Sequence, residues 1–168
     1  MTVDFTEVQI PADLGGFERV IFIPKGLTIT AVAKAMRKKN ITIKITDEAD
    51  EILKGRNVRE TDHDYAVRFR DRQEADEELK DHSFIQLKAD NINSITLLER
   101  LVYELKYWSE TEGDHLDVVN ITLCAGSRCS DGCVPGVRWS SALRKLHVYW
   151  CFPDFARGDL RARQAVSK

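Results

Sequence analysis

The chain has 168 residues, 43% of them hydrophobic and 31% charged, a balance that suits one core-bearing globular domain and excludes general disorder. Its net charge of −2 is informative only when divided: residues 47–82 hold 13 acidic and 7 basic side chains, whereas residues 124–168 hold 3 and 8. No run approaches the roughly 18 apolar residues of a membrane span, and the N-terminus lacks the basic-then-apolar start of a secretory signal, so the expectation is a cytoplasmic protein with reduced thiols and no membrane partner.

Arg19–Ile23 reads as a short buried strand, followed by a turn at Pro24-Lys25-Gly26. Thr28 is a suitable helix N-cap. Ile29, Val32, Ala33 and Met36 then fall at i, i+3, i+4 and i+7, the apolar stripe of a helix. Arg37, Lys38 and Lys39 suit the negative end of its dipole, and Asn40 can close it. Ile41–Ile45 alternates as a strand does. Residues 46–64 are acidic and loop-like, with one helical turn around Glu51-Ile52-Leu53, and Tyr65–Arg70 alternates again. Residues 71–93 are charged and weakly patterned. Within them "EADEEL" lacks the spacing and glycine of a calcium loop, and "DHD" at 62–64 would point its side chains to opposite faces of an extended segment. Both read as solvated surface.

Thr96–Trp108 is the strongest element. Thr96 and Glu99 make a capping box. Leu98, Leu101, Val102, Leu105 and Trp108 form the expected buried stripe, and Gly113 supplies a stop. Three strand-like runs follow, at about 118–128, 134–140 and 145–151, the first two joined by Ser130-Asp131-Gly132. A three-residue hairpin loop with Gly132 in the left-handed position sets Cys129 opposite Cys133. Extended down both strands, that register puts Ile121, Leu123, Ala125, Ser127, Val137 and Trp139 on the core face. It puts Thr122, Cys124, Arg128 and Arg138 on the other, joined there by His147, Tyr149 and Cys151 of the last strand.

Four cysteines at spacing C-x4-C-x3-C-x17-C do not match a zinc ribbon, and thiols split across a sheet cannot converge on one ion. No metal site is assigned, and no motif calls for a cofactor. Ala125-Gly126-Ser127-Arg128 is no Walker loop, although a turn of backbone amides with Arg128 can hold an anion. The ligand-binding candidates are therefore Thr122, Arg128, Arg138, His147 and Tyr149, since two guanidiniums beside an imidazole and a phenol suit a carboxylate, a phosphate or a base. Segments such as "ITLLERLVYEL" and "NITLCAGSRCSDG" resemble bacterial sequence, which implies a bacterial source but no activity.

The expected fold is a single α+β domain over residues 1–168, ordered β-α-β-β-α-β-β-β. Two amphipathic helices cover one face of a mixed or antiparallel sheet, with a C-terminal three-stranded meander and a basic tail from about 153. The expected function is noncatalytic binding of an anionic small molecule, nucleic acid or acidic protein surface. The alternatives are an enzyme using Arg128, Arg138 and His147, with Cys124 as nucleophile, and a structural zinc domain.

Overall fold

The computed structural model describes residues 3–168 and has the expected α+β architecture. Its strands are β1 (Arg19–Ile23), β2 (Ile43–Lys44), β3 (Tyr65–Phe69), β4 (Ile121–Leu123), β5 (Val134–Ser140), β6 (Lys145–Cys151) and β7 (Leu160–Ala162). Its helices are α1 (Ile29–Lys38), α2 (Ala49–Leu53), α3 (Phe84–Ala89) and α4 (Leu97–Glu110). The strands divide into an antiparallel pair, β1-β3, and a five-stranded sheet ordered β2-β6-β5-β4-β7. The meander β4-β5-β6 is antiparallel throughout, while the edge strands β2 and β7 join it in parallel.

Local chemistry explains the helices. The Thr28 hydroxyl accepts the Ala31 N–H at 3.1 Å, and Ile29, Val32, Ala33 and Met36 are buried. Asn40 ends the helix at a φ of +60°. In α4 the capping box forms from both sides: Thr96 Oγ1 accepts from Glu99 N, and Glu99 Oε2 accepts from Thr96 N. This helix packs on α1 and touches both β1 and β5. Being flanked on several sides, it buries far more than a stripe. Leu97, Leu101 and Tyr103 are fully buried, and so are Glu99, Arg100 and Glu104. Leu98, Val102, Leu105 and Trp108 are only partly buried against the main core.

The charged stretch 71–93 is more ordered than its pattern suggests. Ser83 opens α3 with a capping box to Gln86. Leu79 and Leu87 join Ile121, Leu123, Val134, Leu160 and Ala162 in a second apolar cluster, on the face of the large sheet away from α4. Inside "EADEEL", Glu74 accepts the backbone N–H groups of Val118, Val119 and Asn120 at 2.7–3.0 Å. Asp76 is buried and accepts from Arg70 and from the Gln164 N–H. These carboxylates are engaged by backbone amides and by the Arg70 guanidinium.

The C-terminal residues are woven into the fold. β7 pairs with β4, Val166 bridges Arg68 of β3, and Gln164 bridges Ser94. Arg163 is 1% exposed.

Candidate functional site

The hairpin tip forms as its sequence implies. Cys129 N donates to Cys133 O at 2.7 Å, Gly132 N donates to Cys129 O, and Gly132 has φ +91°. The register below the tip is different. Leu123 lies opposite Gly136 and Thr122 opposite Val137, so the first strand has three more residues than the second between those pairs and the Cys129–Cys133 pair. The cause is a turn at Cys124–Ser127, closed by Ser127 N donating to Cys124 O at 3.0 Å. An odd insertion reverses every side chain beyond it. Thr122 and Cys124 therefore face the main core, while Ile121 and Leu123 face α3.

This separates the five expected site residues into three groups. Thr122 is fully buried, its hydroxyl donating to Asp117 Oδ2 and accepting from Arg163 Nε. Arg128 leaves the sheet with the turn. Arg138, His147 and Tyr149 stay together on the open face of β5 and β6, with Arg138 directly opposite His147.

Thr122 belongs to a buried ionic cluster that the sequence pattern did not reveal. Arg100 bridges Glu104 at 2.7 Å and Asp117 at 2.9 Å, and Arg163 reaches Asp117 at 2.9 Å. Burial opposes the Arg100 charge, but Asp117 and then Glu104 outweigh it and hold the guanidinium more firmly ionised than in water. His115 Nδ1 donates to Glu104 Oε1 at 2.7 Å, and its ring stacks on Trp139 with ring centroids 3.5 Å apart. Each of the four carboxylate oxygens has a donor: Ala75 N and Arg163 on one Asp117 oxygen, Arg100 and Thr122 on the other, His115 on one Glu104 oxygen, and Arg100 and Leu116 N on its partner. The carboxylates are satisfied from within, as buried charges require, while Arg100 Nη2, 2.9 Å from Asp117, pairs by charge without an aligned hydrogen bond; the cluster pins α4 to the β4 edge. The i, i+4 spacing of Arg100 and Glu104 was visible; their burial was not.

The thiols do not converge. Cys124 is in the main core, Cys151 packs against the second cluster on the opposite face, and Cys129 and Cys133 are at the tip. Burial pushes the Cys124 thiol well above its ordinary range, the wrong direction for a nucleophile. His147 is two strands away on the other face, so the pair considered from sequence does not form.

The turn that displaced the register also walls a cavity. Gly126 packs so closely on the backbone before α4 that a Cβ there would lie 2.5 Å from Ser94 O and 2.8 Å from Ile95 O. Gly126 N donates to Ile95 O, and Gly126 O accepts from Val58 N at 2.8 Å. Ser127 Oγ accepts the Leu97 N–H at 2.9 Å, an orphan donor of the α4 first turn, and donates to Asn57 at 2.6 Å. Arg128 N donates to Arg56 O. The amides of residues 126–128 are thus already engaged, so they do not form the open cradle considered from sequence.

Between this turn, the 55–58 loop and α3 lies a cavity of about 280 Å³. Val58, Phe84, Leu87, Ile92 and Ala125 give it apolar walls, and Arg56, Lys88 and Arg128 add three cations. The lining contains no carboxylate, and among the described residues none of the three cations is in an ion pair. Arg56 and Lys88 carry no sequence mark of the cleft because they lie 72 and 40 residues before Arg128 in the chain. Comparison with protein-family models, with curated proteins and with solved structures gives no match. Among the described residues no helix is long and apolar enough to cross a membrane.

Proposed function

We propose that the protein is a binding module for a small amphipathic anion, an apolar body carrying a carboxylate, sulfonate or phosphate, held in the cleft between the Cys124–Ser127 turn and α3. The observation that carries this reading is the lining itself: apolar walls, three unpaired cations and no acid. Arg56 and Arg128 present planar forks suited to oxyanions, and Lys88 adds a mobile point charge. A cavity of this volume is near the lower end for ligand pockets, so the apolar body is short.

The test uses 8-anilinonaphthalene-1-sulfonate as probe, with octanoate and 1-octanol as competitors of matched apolar length. Octanoate should displace the dye at far lower concentration than octanol. Arg128→Glu and Lys88→Glu, both at exposed positions, should each weaken dye binding about tenfold or more, since a charge-assisted contact contributes about 1.5–3 kcal/mol. Equal displacement by octanol and octanoate, or unchanged affinity in both variants, overturns the proposal.

A further inference from the structure

Arg138, His147 and Tyr149, left together on the open sheet face, are unrelated to the cleft. We propose that this face is a second site and that it binds single-stranded nucleic acid.

The pairing registers carry the argument. Lys44 of β2 lies beside His147 of β6, and His147 lies opposite Arg138 of β5, so the three form one row across three strands. With strands about 4.8 Å apart the row spans roughly 10 Å. Along β6, Lys145, His147 and Tyr149 share this face at two-residue spacing. The His147 and Tyr149 rings are already stacked, with centroids 4.3 Å apart and planes 27° apart. Tyr149 lies opposite Gly136, where the side chains of Ile121 and Cys151 take up the space that a Cβ would fill. The result is a platform of two mutually stacked rings bordered by three cations.

Charge complementarity selects the occupant. Among the described residues Lys44, Lys145 and Arg138 make no ion pair, and the buried Nε of Arg138 has no hydrogen-bond partner. Asp159 lies close enough to feel the Arg138 charge, but it is already held by Arg157 through two contacts. A folded acidic protein surface would use the cations but not the stacked rings. A duplex would offer phosphates but hide its base faces. A single strand supplies both, phosphates for the lysines and arginine and bases for the platform.

The experiment is fluorescence anisotropy of a labelled ten-nucleotide oligouridylate over a salt series, on the full chain. Neutralising three phosphates should give a slope near −2 in log K against log salt, from about −0.7 per contact on single strands. Tyr149→Ala should weaken binding roughly 5- to 150-fold, the range for loss of one stacked base, while Tyr149→Phe retains it. Lys44→Glu with Lys145→Glu should remove it, and since Lys44 is exposed and Lys145 half-buried this pair serves if Tyr149→Ala does not fold. Arg128→Glu with Lys88→Glu should leave oligonucleotide binding unchanged, which separates this site from the cleft. No binding at low salt, an unchanged affinity in the lysine pair, equal binding of a ten-base-pair duplex, or equal binding of polyglutamate would each overturn the proposal.

Discussion

Gly126→Ala tests the idea that one close backbone approach holds the cleft, the turn and α4 together. The added methyl would sit 2.5 Å from Ser94 O and 2.8 Å from Ile95 O. Both are backbone atoms at the entrance to a helix fixed by its own capping box, so neither can rotate away. The turn has to retreat by several tenths of an ångström. That strains Gly126 N→Ile95 O at 2.9 Å and Val58 N→Gly126 O at 2.8 Å. Overpacking costs about 1–3 kcal/mol, and each weakened backbone bond adds about 0.5–1.5. A total near 3 kcal/mol corresponds to a fall in melting temperature of roughly 6–12 °C for a chain of this size. Thermal unfolding followed by circular dichroism measures it, and dye binding in the cleft should weaken in parallel because the turn is one of its walls. Ser127→Ala is the graded comparison: it loses the hydroxyl that serves Leu97 N and Asn57 and should cost about 1 kcal/mol. If Gly126→Ala melts within 2 °C of the parent, the turn is not held as described and the cleft's rigidity has another source.

Arg100→Met should destabilise the protein by about 3–5 kcal/mol in urea unfolding, because Glu104 and Asp117 stay buried with half their compensation gone; a loss under 1 kcal/mol would show that water reaches the cluster. Native thiols should label slowly: burial raises Cys129 from 9.0 to about 11, lowering its thiolate fraction at neutral pH about a hundredfold, and Cys124 should react only on unfolding. A native thiol faster than free cysteine would contradict both. The Arg72 guanidinium, hydrogen-bonded at 2.6 and 2.8 Å, holds Glu78 at about 2 instead of 4.5. A carboxyl lowered on folding adds stability above its unfolded pKa and loses it as pH falls from about 4.5 towards 2. Both partners are nearly half exposed, so Glu78→Gln should flatten that segment of the stability profile by less than about 1 kcal/mol.

What the sequence made legible was local. Thr28, Asn40, the Thr96–Glu99 box and the Ser130–Gly132 loop all do what their side chains and backbone freedom imply within a few residues. The placement of His147, Tyr149 and Cys151 away from the main core also holds, because strict alternation over Lys145–Cys151 leaves one solution, with Leu146 and Val148 turned inward. Reading failed where a distant backbone decided the matter. Nothing near Cys124 says that the chain turns there; Ser94 and Ile95 and the loop at 56–58 impose it, and the odd insertion then moves Thr122 from an open face to a buried one. Glu99, Arg100 and Glu104 look like the polar side of an amphipathic helix because their partners outside it, Arg59, Asp117 and His115, are 11 to 40 residues away. The cleft was half visible for the same reason: Arg128 stood out, whereas Arg56 and Lys88 had no mark of their own.

The placement of β7 and Arg163 has a kinetic consequence. Residues 160–166 follow in the chain the elements they contact, and they supply the parallel partner of β4, the bridge to β3 and one of the two guanidiniums on Asp117. Until they dock, Asp117 must wait with a single cation beside it, and β4 is left with an open edge. Pairings of such long sequence separation slow folding. The meander and α4 can therefore collapse without it, but the native charge balance of the core is complete only once β7 has docked.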